Sequence, residues 1–284
     1  PGATGQVALG TAGGLVASDI TAPVSVRLSA GAGLTAGGVT APAILLQGGT
    51  VTLSGLIQGA DSVTIESAGA VTQQTGALII TDVFTLNGGS VSLPGDNQIL
   101  EIGDLVAPGP VLALNTVLDL LVSGAISANG SLNFTTSQGL TVAPGGSITV
   151  TGGPGTATLT AGTDLTYGGL LGTSGGATLA AGGALAFTGT GTIGGAASLT
   201  AATTLTLAGT IDAGGAFGAS AGGALGTSAQ VTAGGNATLT AGGLLTAGGR
   251  IESTGGSLGL TGATGLAANG TFLANGTATL AATA

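Results

Sequence analysis

Two carboxylates on either side of a bond are among the smallest catalytic sets a protein can carry. The stretch PGDNQILEIGDL holds Asp96, Glu101 and Asp104, the densest acids in the chain. Carboxyl groups ~5–5.5 Å apart suit a retaining glycosidase and ~6.5–9.5 Å an inverting one. Polysaccharide lyases are the related possibility. Sugar-cleaving sites also use aromatic platforms and cationic partners. Here Tyr167 is the only tyrosine, tryptophan is absent, and the only cations, Arg27 and Arg250, lie far off in sequence. The three acids therefore read as solvated loop residues. The chain has no histidine and no cysteine, so the usual nucleophile–base pairs cannot be assembled. No catalytic residue is assigned, and an enzyme is not expected.

Binding chemistry is equally sparse. Calcium-binding β-rolls use a Gly-Gly-x-Gly-x-Asp nonapeptide, which does not recur here. Asp164, Asp212 and Glu252 fall at different offsets and form no expected ladder. No metal and no cofactor is expected. Gly-x-Gly strings are everywhere, but none is followed by lysine and none should open a helix, so none counts as a phosphate loop. Outward threonines are a third candidate: Thr158/Thr160, Ser198/Thr200 and Thr238/Thr240 predict a flat Thr-x-Thr face, of the kind that orders water in ice-binding solenoids. Ala180 and the run Gly218, Ala219, Ser220 break the array, and threonine favours solvent-facing strand positions anyway.

Composition restricts the elements that could position any of these groups. Glycine supplies 60 of 284 residues, charged residues 5% and aromatics 2%. Disorder requires low hydrophobicity and high charge, whereas mean hydropathy is +0.66. Collagen is excluded because glycine does not recur at every third position. The net charge of −9, with two arginines and no lysine, argues against nucleic acid and against anionic membrane surfaces. Eight of the eleven acids precede residue 120. Apolar runs such as PAILL are far shorter than the ~20 residues of a spanning helix, so membrane insertion is not expected. No segment reads as a signal peptide.

What remains is a repeat. Leu159, Leu179, Leu199, Ala219 and Leu239 are spaced by 20, as are Leu165, Leu185, Leu205, Leu225 and Leu245. A third set runs Leu171, Ile193, Ile211, Val231, Ile251 and Phe272, with Ile193 displaced. The last coil reads Leu260, Leu266, Phe272, Leu280. Upstream the same grammar reads Leu114, Leu120, Ile126, Phe134, Leu140, and earlier Leu45, Val51, Ile57, Ile65, Val71. It blurs over 78–112 and matches loosely through Leu9, Leu15, Ile20, Leu28 and Leu34. Around the first set the pattern alternates, as in Ala177-x-Leu179-x-Ala181, which is the period of a half-buried strand. A helix would pay heavily for so much glycine. Gly-Gly pairs at 175–176, 194–195, 214–215, 234–235 and 255–256 precede most of these strands and are expected to supply positive-φ corners.

Three short strands and three corners per ~20 residues predict an all-β chain: a parallel β-helix (β-solenoid) of roughly 14 coils, ~65–70 Å long at the strand separation. Residues 1–113 read as degenerate repeats and 114–284 as regular ones, in one repeat region. At 217–219 the sequence has Phe-Gly-Ala where its neighbours have Ala-x-Leu. A large residue has moved two places, which keeps the core volume only if both positions face inward. The chain opens and stops within repeats, and is expected to be a fragment of a longer one.

The segments ATLTAGGLLTAGGRIES (237–253), ASLTAATTLTLAGTIDAGG (197–215) and ATLAAGGALAFTGTGTIGG (177–195) resemble the degenerate repeats of filamentous haemagglutinin-like exoproteins of Gram-negative bacteria. The likeness spans about 114–284. It implies a right-handed solenoid, export through an outer-membrane pore by the two-partner route, and display outside the cell or on its surface. The Asn-Pro motifs of the family's secretion domain and an Arg-Gly-Asp motif are absent from this sequence, so no receptor is assigned. In a bacterial chain the sequons at Asn129, Asn133, Asn236, Asn269 and Asn275 carry little weight. The expected function is structural: a stalk or fibre segment of an adhesin that self-associates or contacts a host or neighbouring cell, in attachment, aggregation or biofilm. A β-helical carbohydrate-active enzyme is the alternative, and an ice- or surface-binding module the third.

Overall fold

A segment that alternates apolar residues with hydroxyls has one dry face and nothing of its own to cover it. The chain solves this by stacking segment on segment. The computed structural model describes residues 5–283, and all regular structure among them is strand. Residues 1–4 of the repeat-like opening, and Ala284, lie outside the described residues. Strands pair in parallel with partners about 20 residues away, giving a β-solenoid of about 14 turns. The chain divides into two compact units, residues 1–137 and 138–284.

In the second unit each regular coil has three strands. One is built from Ala177–Ala181, Leu185–Phe187 and Thr190–Ile193; the next from Ala197–Ala201, Leu205–Leu207 and Thr210–Ala213. Leu159, Leu179, Leu199, Ala219, Leu239, Leu260 and Leu280 pair in successive register, as the spacing predicts. Leu165, Leu185, Leu205, Leu225, Leu245 and Leu266 form a second row. Nearly all these leucines are fully buried, Leu280 being an exception at 47% exposed. Phe217 and Ala219 both face inward, at 1% and 3% exposed, so the exchange at 217–219 does conserve core volume within its coil.

A second exchange of this kind was not apparent from spacing. Gly191, not Ile193, stacks between Leu171 and Ile211, while Ile193 stacks between Thr173 and Ala213. The register never slips there. A Cβ built at Gly191 would lie 3.4 Å from the Phe187 ring and 3.6 Å from Ile193 Cδ1, so these two large neighbours fill the space that a leucine would take. The Phe187 row itself tapers along the stack: Tyr167, Phe187, Leu207, Thr227, Ala247. Vertical rows need not be uniform, and inward volume varies between coils: Ala247 stands where Tyr167 does, with Leu239, Leu245 and Ile251 matching Leu159, Leu165 and Leu171 in size. The double variant Phe217→Ala/Ala219→Leu restores the neighbours' pattern and should stay within about 1.5 kcal/mol of the parent, whereas Ala219→Leu alone overpacks the coil by about 1–3 kcal/mol. Paired denaturant titrations measure the difference.

The glycine corners work differently from expectation. None of the ten glycines in the five Gly-Gly pairs has positive φ. Their constraint is vertical. A Cβ at Gly194, Gly214 or Gly234 would fall 2.4, 2.4 or 2.1 Å from the carbonyl oxygen of Ser174, Gly194 or Gly214 in the coil before. At these corners glycine lets successive backbones approach, and left-handed geometry is not the reason.

The first unit is less regular. Its strands run on through corners, so Ser25–Leu53 is one strand of 29 residues, with Gly38 at a φ of +68° inside it. Leu9, Leu15 and Ile20 pair with Leu28, Leu34 and Val39. Val51 and Val71 pair as the spacing predicts. Leu45 does not belong to the inward row: Ile44 and Leu46 are buried on either side of it, and Leu46 stacks on Ile65. Over 78–112 the inward residues Ile99, Ile102 and Leu105 are three apart, a spacing that strict alternation cannot put on one face. A register shift between Phe84 and Leu86, opposite Ile102 and Leu105, accommodates the second of these steps.

Candidate functional site

The three candidate carboxylates lie on one strand, Val91–Ala107, and each has a structural partner. Asp96 is exposed and accepts a hydrogen bond from Asn115 Nδ2 at 3.4 Å. Glu101 is half-buried and accepts from Ser123 Oγ. Asp104 is exposed and accepts from the Ala125 amide at 2.9 Å, one coil on. Among the described residues, no group of three or more acidic side chains could hold a metal ion. Asp96 borders a cleft. The turn Gln74–Leu78 and the segment Pro94–Asp96 enclose about 420 Å³ there.

The floor of that cleft is a buried polar network which periodicity could not reveal. Asn97 is 0% exposed. Its Oδ1 accepts from Gln73 Nε2 at 2.7 Å and from the Ile79 amide at 3.0 Å. Its Nδ2 lies within bonding distance of Gln73 Oε1 and of the Leu93, Gly95 and Asn115 carbonyls, at 3.0–3.3 Å. Gln73 Nε2 also donates to the Ala77 carbonyl, and Gln73 Oε1 accepts from the Gly95 amide, both at 2.9 Å. Thr116 Oγ1 donates to the Asn97 carbonyl at 2.8 Å. The local cause is the bulge at 94–96: the pairing with Val111–Thr116 jumps from Leu93 to Asn97, and backbone groups displaced there need side-chain partners. The network is fully satisfied. Its amides are therefore committed to the fold and are not available to a ligand.

A second polar feature lies on an outward row of the same unit. Arg27 donates through Nε and Nη2 to Gln47 Oε1 at 3.1 and 2.8 Å, and Gln47 Nε2 donates to Glu66 Oε2 at 2.5 Å. This three-coil ladder separates a groove of about 380 Å³ over Ala43, Leu45 and Thr64 from one of about 610 Å³ over Ser67, Ala68 and Gly88. The other arginine, Arg250, pairs with Glu252 at 2.5 Å. Neither cation faces Asp96, Glu101 or Asp104 in any pairing.

Outward rows of the second unit are in register, as the sequence predicts. Thr158, Thr178, Ser198, Gly218 and Thr238 form one row; Thr160, Ala180, Thr200, Ser220 and Thr240 form the next. Asp212 and Glu252 do share an outward row, contrary to expectation, with Thr232 between them. Two coil steps, roughly 9–10 Å, part their backbones, too far for a shared ion without further ligands. Tyr167 points inward, stacks on Phe187 with ring centroids 5.3 Å apart, and donates to the Leu170 carbonyl at 2.8 Å. Burial pushes its phenol above the usual tyrosine range; it is a neutral core residue. No protein-family model, curated protein or solved structure matches this chain.

Proposed function

We propose that the chain is a scaffold segment of a secreted, surface-displayed filamentous adhesin of the filamentous haemagglutinin-like kind. The observation that carries this reading is the register: coil after coil repeats the same inward rows, while the outward rows on the first strand of these coils are short hydroxyls, alanine and glycine. Each coil buries large side chains against its neighbours, so stability grows by addition of equivalent units. Such a stack holds a shape without needing a ligand, and its action is geometric. It spaces a binding element from the cell or contributes to an extracellular fibre. Its partners are further copies, a host or neighbouring cell surface, and an outer-membrane pore during export. The absence of cysteine suits a chain that crosses membranes unfolded. Immunogold electron microscopy of the source cells tests the proposal. Label on thin fibres or stalks outside the cell is the expected result; label confined to the cytosol overturns it.

The cleft beside Asp96 favours one second reading, a carbohydrate-active site. Polysaccharide cleavage by the purified chain, lost on Asp96→Asn, would favour it over the scaffold.

A further inference from the structure

Four asparagines precede glycine: Asn87, Asn129, Asn269 and Asn275. In such a pair the glycine nitrogen can attack the asparagine side-chain carbonyl, because no side chain on glycine obstructs the approach. Whether it does so in a folded chain depends on whether that nitrogen is free and whether the side chain can swing.

The second unit presents two kinds of corner, and they treat this nitrogen differently. At the corner that opens each third strand, the first residue donates its N–H to the preceding coil: Gly168 to Val142 O, Ala208 to Phe187 O, Gly248 to Thr227 O and Asn269 to Ala247 O, at 2.6–2.9 Å. The third residue donates as well: Leu170, Thr210, Arg250 and Thr271, at 2.8–3.1 Å. The middle N–H has no hydrogen-bond partner among the described residues at Gly169, Gly209, Gly249 and Gly270, whereas Gly189 donates to Tyr167 O at 3.1 Å and Ala229 to Thr227 Oγ1 at 3.2 Å. At the next corner both amides are held. Asn275 donates to Ser253 O at 3.0 Å and Gly276 to Gly256 O at 2.9 Å. Gly88, after Asn87, is likewise held by Val106 O at 2.9 Å. Asn129 lies inside the strand Ala125–Thr136, with its Nδ2 anchored on the Pro108 carbonyl at 3.2 Å. Asn269 is exposed and lies outside any strand, and among the described residues its side-chain amide has no partner.

We infer that Asn269–Gly270 is a site of spontaneous covalent modification. The Gly270 nitrogen, losing its proton to water or hydroxide, bonds to Asn269 Cγ; the Cγ–Nδ2 bond breaks and ammonia leaves. Water then opens the resulting succinimide at either carbonyl and gives aspartate or isoaspartate. No other reactant is required. Either product adds one negative charge to a nearly uncharged unit. The isoaspartyl product also lengthens the backbone at the corner, which moves the Thr271 amide off Gly249 O and loosens Thr271–Ala274 from Arg250–Ser253. Chain age is thus recorded at one corner of one coil.

The purified chain is incubated in mildly alkaline buffer, digested, and each Asn-Gly peptide followed by mass spectrometry and by isoaspartyl methyl-transfer labelling. Asn269 should convert about fivefold or more faster than Asn275 and Asn87, the factor set by one net backbone hydrogen bond. In denaturant the four sites should converge. Asn269→Gln should remove the fast component and leave the others unchanged. Equal native rates at Asn269 and Asn275, or a native Asn269 that does not convert while the denatured chain does, overturns the inference.

Discussion

Asn97→Ala is expected to destabilise the first unit by about 3–5 kcal/mol, a loss that leaves few domains folded. Truncation removes a side chain whose oxygen satisfies Gln73 Nε2 and the Ile79 amide, and whose nitrogen lies against four acceptors. Each buried group left unpaired costs about 1–3 kcal/mol, and water has no room to substitute at a position that is 0% exposed. Asn97→Leu fills the volume but still orphans the Ile79 amide. Asn97→Asp keeps the acceptor, loses both donors and buries a charge. None of the three should behave like the parent. Denaturant titration gives the size of the loss. Amide exchange gives its location, with protection falling first at Ile79 and Ile99. A loss under about 1 kcal/mol for Asn97→Ala would show that the network relaxes around the gap.

The second large effect contrasts two glycines only twelve residues apart in sequence. Gly214→Ala puts a Cβ 2.4 Å from the Gly194 carbonyl oxygen and 3.1 Å from its carbon. Both contact atoms are backbone, fixed by the coil below, so the coils must separate locally. The Gly214 N–H to Ile193 O bond, 2.7 Å long, opposes this. A loss of about 2–3 kcal/mol is expected, at the high end for overpacking. Gly226→Ala meets nothing within 4 Å and has no positive φ, and it should stabilise by about 0.4–1 kcal/mol through the unfolded chain. The two substitutions are chemically identical, so opposite signs in one titration series isolate vertical stacking as the cause. If both destabilise equally, glycine is needed here for flexibility, and the stacking argument fails.

Much of the second unit was legible because its signal is coarse. A leucine every 20 residues and alternating alanines require nothing more than counting, and the rows through Leu159 and Leu165 fall where they are expected. Ile193 was assigned to the wrong row because counting assumes that the largest residue marks the core position, whereas here Gly191 holds it and a neighbour supplies the volume. The glycine pairs were placed correctly and explained wrongly. A sequence shows that a side chain is missing; it does not show whether φ or the coil beneath excludes it. At 44–46 three consecutive large residues defeat an alternation count, and Leu45 was the natural error. Asn97 had no sequence signal at all. A polar residue in an irregular stretch looks solvated until the bulge beside it is seen to turn backbone amides inward. The carboxylates of the same stretch were legible as candidates, and their separate partners only in three dimensions.

The unevenness of the vertical rows has a genetic consequence. Since Tyr167, Phe187, Leu207, Thr227 and Ala247 can succeed one another in one row, a coil does not have to match the coil it lands on. Unequal crossing-over between such similar DNA segments would delete or duplicate whole turns and still join compatible cross-sections. Lineages of this protein should therefore differ in length by multiples of about 20 residues more readily than they differ within a turn.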